Sequence, residues 1–177
     1  YGQDFPVAGI IQQRSKIYIF PIEWKKGIYI FDLIDQKIER DEELSELFQK
    51  GFQCANVLLI HETAIIIAEN GGNRLIEIDL DTKRIIQEIV LGDGVEIFLL
   101  CSGRDSFWIL QMRSTDILEW RREDNTLQTY TNDNVMWEYR SDKLAPPYSN
   151  IVFLEDEILV LNGCLKNILK INQRKKI

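Results

Sequence analysis

Residues 65–92 read IIIAENGGNRLIEIDLDTKRIIQEIVLG. Three apolar runs of strand length, Ile65 to Ala68, Leu75 to Ile78 and Arg84 to Val90, are separated by two polar segments. Asn70-Gly71-Gly72-Asn73 is hairpin chemistry, because Gly and Asn accept the positive φ angles that a tight reversal between twisted strands demands. The second segment, Asp79-Leu-Asp-Thr82-Lys-Arg, begins with a side chain that bonds its own backbone two or three residues on and so favours a turn. Runs rich in β-branched residues and bounded by such turns predict an antiparallel meander.

The same arrangement recurs on both sides of this stretch. Ile17-Tyr-Ile-Phe20, Ile65-Ile-Ile-Ala68, Phe107-Trp-Ile-Leu110 and Ile158-Leu-Val-Leu161 start 48, 42 and 51 residues apart. Each is followed, after a polar turn, by a partner: Ile28-Tyr-Ile-Phe31, Leu75-Ile-Glu-Ile78, Ile117-Leu-Glu-Trp120 and Ile168-Leu-Lys-Ile171. The span from the start of a run to the end of its partner is 14, 13, 13 and 13 residues. Upstream of each pair lies another apolar stretch, at Val7 to Ile11, Val57 to Ile60, Ile97 to Cys101 and Ile151 to Leu154. A fourth follows the first three pairs, at Lys37 to Arg40, Arg84 to Val90 and Thr126 to Tyr130. The mean period of about 44 residues is the length of one four-stranded propeller blade. The expected fold is therefore all-β: a β-propeller-like array of about four four-stranded antiparallel blades in a single domain, residues 1–177. The blades are placed at 7–40, 56–90, 97–130 and 151–177, the last without its fourth strand. A β-sandwich is the architectural alternative, since length and composition suit it equally.

The stretch 65–92 resembles the YVTN-type β-propeller repeat, in which a strand ends near Ala-Asn, the next closes at Ile-Asp, and a Thr-containing turn leads to a last strand ending in Gly. The resemblance covers this one blade and implies fold, not chemistry. Two connections interrupt the period. Between Asp41 and Gly51, Leu44, Leu47 and Phe48 stand at helical spacing and predict a short helix with an acidic start. Residues 131–149 form a longer loop carrying Trp137, Tyr139 and Arg140, and long loops with aromatics of their own are often functional.

The chain has 21 basic and 28 acidic residues, a net charge of -7, and 45% hydrophobic residues. That composition excludes disorder and fibrous architectures. The acidic balance argues against a nucleic-acid partner, which requires clustered Lys and Arg. The apolar runs are far shorter than the roughly 20 residues that cross a bilayer, so no membrane association is expected. Cys54, Cys101 and Cys164 form no CxxC unit. Free thiols in a reducing, cytoplasmic compartment are the simple reading, with Cys101 buried and Cys164 the most accessible.

His61 is the only histidine, which removes multi-histidine metal sites and leaves Ser-His-Asp or Cys-His chemistry a single residue to share. Neither a nucleophile elbow nor a phosphate loop is present. Asp79-x-Asp81 followed by Lys83 and Arg84 places cations where a calcium loop needs oxygen and glycine. No catalytic residue, metal or cofactor is expected, and the functional expectation is a non-catalytic binding or interaction domain. Its candidate contacts are Trp24, Lys25, Arg74, Arg113 and Lys166, which fall in the turns between second and third strands, with Trp137, Tyr139 and Arg140 from the long loop. Basic residues gathered on one face against a negative balance would focus the field on an acidic peptide or a small anionic ligand. A protein partner, or a second copy paired through an open blade edge, fits the same reading. The alternatives are a propeller-fold enzyme of lyase or cyclotransferase type using loop carboxylates, and a truncated structural remnant.

Overall fold

The computed structural model describes residues 6–47, 53–103, 106–131, 148–154, 157–162 and 167–172. The chain divides into two compact units, Tyr1–Gly94 and Val95–Ile177. The first holds two four-stranded sheets. Its strands are β1 (Val7–Gln13), β2 (Lys16–Pro21), β3 (Ile28–Asp32) and β4 (Lys37–Asp41), then β5 (Cys54–Leu59), β6 (Ala64–Glu69), β7 (Arg74–Asp79) and β8 (Arg84–Val90). The second holds β9 (Ile97–Ser102), β10 (Ser106–Gln111), β11 (Ile117–Arg121) and β12 (Thr126–Tyr130), followed by β13 (Tyr148–Leu154), β14 (Glu157–Asn162) and β15 (Asn167–Asn172). Within every sheet consecutive strands are neighbours and pair antiparallel. This is the four-stranded meander that the repeat predicts, and the third sheet has the expected limits. The first ends one residue later than expected, the second begins two residues earlier, and the fourth begins at Tyr148 instead of Ile151.

The runs were legible because of where they sit. β6 and β10 are inner strands buried along almost their whole length, and strands covered on both faces read as unbroken apolar sequence. The outer strands β4 and β12 are exposed at nearly every position, so their sequences are polar and short on signal. In the first unit Tyr18, Phe20, Ile28 and Ile30 of one sheet share a core with Val57, Ile65, Ile67, Ile76 and Ile78 of the other. In the second, Trp108, Leu110 and Ile117 pack with Ile151, Ile158 and Val160.

All four sheets carry the same irregularity. The register shifts between Val7 and Gly9, between Cys54 and Asn56, between Ile97 and Leu99, and between Tyr148 and Asn150, each time at the start of the first strand and opposite the end of the second. A β-bulge of this kind adds one residue and increases the local twist. The turns between third and fourth strands are also alike: Gln36, Lys83 and Asn125 adopt φ near +53°, +53° and +55°.

The helix expected after the first sheet is a single turn and a half, α1 (Glu42–Glu46). Asp41 caps it, its Oδ1 accepting the Leu44 N–H at 3.0 Å. Such a cap satisfies one of the four amides that a helix start leaves without a partner. Leu44 is fully buried in the first core. Among the described residues no helix is long and apolar enough to cross a membrane. Of the thiols, Cys54 is buried and Cys101 half-buried, which corrects the expectation that Cys101 is the buried one. Cys101 lies near the end of β9, beside exposed Ser102. Cys164 lies outside the described residues.

Candidate ligand-binding site

Trp137, Tyr139, Arg140 and Lys166 also lie outside the described residues. Trp24 and Lys25 fall in a 3-10 turn, Trp24–Lys26, between β2 and β3. Lys25 Nζ is 3.1 Å from Glu23 Oε2, with its side chain 78% exposed. Arg74 opens β7 and is held by two carboxylates: Nε and Nη2 donate to the two oxygens of Glu69 at 2.8 and 2.7 Å, and Nη1 donates to Glu88 at 3.2 Å. These bonds, that to Glu69 foremost, raise its pKa further still. Arg113 lies 3.2 Å from Glu96. Each described cation of the expected basic mouth therefore has a carboxylate partner. Lys25 and Arg113 have exposed pairs that a ligand could displace; Arg74 is locked into its own sheet.

A cleft of 530 Å³ opens instead at the junction of the two sheets of the first unit. Its floor is Tyr18, Ile30 and Leu80, and its walls include Gln13, Arg14, Lys16, Glu39, Asp41 and Lys83. The sheet register explains this set. Tyr18 faces Ile30, and Ile30 faces Glu39, so one row of the first sheet presents all three to the same side. The β7–β8 turn of the second sheet supplies Leu80, Asp81 and Lys83. Asp79 shapes that turn by accepting the Thr82 N–H and Oγ1–H at 2.7 and 2.9 Å.

Three ion pairs tie the turn to the first sheet and to α1. Arg14 Nη2 is 3.6 Å from Asp81 Oδ2, and Gln13 Nε2 donates to Asp81 Oδ1 at 3.3 Å. Lys83 Nζ lies 3.1 Å from Asp41 Oδ2, 3.2 Å from Oδ1 and 3.0 Å from Glu43. Asp41 Oδ2 is buried and accepts no aligned hydrogen bond, so the nearby ammonium is its compensation. The main-chain carbonyl of Asp41 accepts the Ser45 hydroxyl, which in turn accepts the Ile28 N–H at 2.9 Å. Burial pulls the Lys83 pKa down, but its bonds to Glu43 and Asp41 outweigh that and leave it above the ordinary lysine value.

Tyr18 is only 4% exposed, and its hydroxyl has no hydrogen-bond partner among the described residues. Burial first, then the Asp41 and Asp81 carboxylates, raises its pKa, so at neutral pH the phenol is a donor. A phenol without a partner, at the floor of a cleft of ligand size, is the feature sequence reasoning missed. Tyr18 sits where the second and third sheets carry Ile66 and Trp108, paired with Glu77 and Glu119 where Tyr18 pairs with Ile30. A phenol at that address, beside apolar Ile30, was the available signal.

The sequence matches no protein-family model and no curated protein. Its likeness is to solved structures. Virginiamycin B lyase from Staphylococcus aureus superposes with a TM-score of 0.60 at 16% identity, over 99% of this chain and 58% of that one. The fold is a β-propeller-like array. The extracellular domain of the one-component system BT4673 from B. thetaiotaomicron gives 0.67 at 10% identity, over 95% of this chain and 22% of that one. Dihydro-heme d1 dehydrogenase NirN gives 0.62 at 11% identity, over 100% and 37%. This chain thus spans little more than half of the lyase and less of the other two. Identities so low carry the fold alone, and proteins this different in activity show how little the fold restricts chemistry.

Proposed function

We propose that this chain is a binding module on a β-propeller-like scaffold, and that in its first unit the ligand occupies the cleft over Tyr18, Ile30 and Leu80. The observation that carries this reading is the Tyr18 hydroxyl, which lines the cleft without a hydrogen-bond partner among the described residues. Concave, partly apolar sites with a few convergent polar groups are where small ligands and side chains of partner proteins bind. The surrounding charges are held in place by ion pairs and by the Asp41 cap, so the site is ordered before a ligand arrives. Preorganisation of that kind lowers the entropic cost of binding. An anionic ligand at the exposed turns would have to displace Glu23 from Lys25 or Glu96 from Arg113.

The test is a thermal-shift screen of a polar small-molecule library, followed by amide NMR. A ligand that binds only the native state raises apparent stability by mass action. Hits are expected to move the amides of Tyr18, Ile30 and Leu80 and to weaken in Tyr18→Phe. A set of hits that leaves all three amides unmoved would place the binding elsewhere and end this reading.

A further inference from the structure

We propose that the first unit's cleft takes a short zwitterionic peptide of about two to four residues, its free carboxylate toward Arg14 and Lys16 and its ammonium toward Glu39, Glu42 and Glu43. The inference rests on the reading of the cleft as the ligand site and adds the chemical class.

The sheet register separates the charges into two ends. Gln13, Lys16 and Asp32 pair in one row; Ile11, Tyr18, Ile30 and Glu39 pair in the next row on that face; Ile28 and Asp41 pair in the third. Lys16 and Asp41 are therefore four residues apart along the strands, or about 13 Å at the usual rise of an extended chain. At the first end the lining has two cations, Arg14 and Lys16, against one carboxylate, Asp81. At the other it has Asp41, Glu42 and Glu43 against Arg40 and Lys83, with Glu39 in the row between. One end is net positive and the other net negative. Lys16 in the first row and Glu39 in the middle row, two residues along, take part in no ion pair among the described residues.

A simple anion or a simple cation would satisfy one end and leave the other unmatched. A peptide with both termini free satisfies both, and its length fits, since each extended residue covers about 3.3 to 3.6 Å and the charged side chains reach inward. The polar centre of the cleft suits a backbone: the Tyr18 phenol has a proton to donate to a peptide carbonyl, and Ile30 and Leu80 offer apolar surface to a small side chain. Arg14 can accept a carboxylate with two parallel N–H groups, the geometry that gives guanidinium its selectivity.

The probes are trialanine, its N-acetyl form and its C-terminal amide, titrated into the full chain and followed by amide NMR at Tyr18, Ile30 and Leu80. Trialanine is expected to shift these amides, and each blocked form to bind at least about tenfold more weakly. Lys16→Gln should erase the preference for a free carboxylate while keeping that for a free ammonium, and Glu39→Gln should do the reverse. Both side chains are exposed, so both variants should fold normally. Equal binding of all three peptides, or no binding of any while other compounds still move the cleft amides, overturns the peptide class and leaves the site standing. If neither peptides nor any screened compound moves those amides, the site itself fails.

Discussion

Asp41 joins three tasks in one side chain: it caps α1, closes the end of β4, and receives Lys83 from the neighbouring sheet. Its side chain is 1% exposed, whereas that of Lys83 is 32% exposed. Removing the cation strands a buried charge, a loss that can reach several kcal/mol when both partners are buried. Screening of the half-open lysine lowers the expectation for Lys83→Met to about 1–3 kcal/mol by urea denaturation, with Lys83→Arg recovering most of it. Because the Lys83 pKa is raised in the folded chain, its contribution is fully present below the ordinary lysine value of 10.5 and fades only in more alkaline solution. Tyr130 behaves in the same direction. Burial, then the hydrogen bond to buried Glu119 at 2.8 Å, pushes it from 10.0 to about 12. The folded chain keeps this phenol neutral where an unfolded one ionises, so stability should decline between pH 10 and 12. Tyr130→Phe should flatten that decline, as monitored by tyrosinate absorbance alongside unfolding. The buried Cys54 thiol, pushed up by burial to about 12, should resist a thiol reagent under native conditions while Cys101 reacts. The sequence placed Cys101 in a strand and Cys54 ahead of one, and so read Cys101 as the covered thiol, whereas burial depends on what packs across the sheet.

Elements were the most legible level, since burial on both faces writes itself as unbroken apolar sequence at Ile65 to Ala68 and Phe107 to Leu110. The bulges were invisible. One added residue changes no composition, and Ala8, Ala55 and Phe98 look like any strand residues. The positive-φ positions were hidden in part: Asn125 is a residue that tolerates this conformation, whereas Gln36 and Lys83 are not. Gln36→Gly should stabilise the first sheet by about 0.4–1 kcal/mol by relieving that cost. Lys83→Gly should not, because it discards the tie to Asp41. Differential calorimetry on the two variants would separate relief of backbone strain from loss of the ion pair, and an equal gain in both would refute the role assigned to Lys83. Gly27, at φ +78°, faces the opposite restriction, since a Cβ there would run into the Arg40 guanidinium. Gly27→Ala is expected to destabilise by about 1–2 kcal/mol and to disturb the acidic end of the cleft, where Arg40 lies.

At the scale of the whole molecule, a net charge of -7 hides local order that a count cannot reveal. Arg74 was legible as a cation in a turn, but its engagement by Glu69 and Glu88 depends on strand pairing that brings residues 14 apart into contact. Arg74→Ala should therefore cost about 1–2 kcal/mol of stability and leave anion binding untouched. Lys25→Ala and Arg113→Ala should leave stability within experimental error. If either of these two abolished salt-sensitive binding of an acidic peptide, the exposed turns would be established as a second contact surface. The cleft was out of reach of sequence reading for a related reason: Tyr18, Asp41 and Lys83 are scattered over 65 residues and meet only when two sheets are laid together.

The bulge that opens every sheet also acts as a phase marker. Side chains alternate faces with a period of two, and in every sheet an extra residue swaps inside for outside at the same place in the first strand. Counting from the bulges instead of the apolar runs assigns Gly9, Asn56, Leu99 and Asn150 to one structural address, and with it Tyr18, Ile66 and Trp108 to another. The repeats thus share a frame that holds a slot whose occupant is Tyr, Ile or Trp in the first three sheets. In a scaffold of this kind a new specificity arises by changing the occupant of a single slot, while the frame that holds it goes on folding as before.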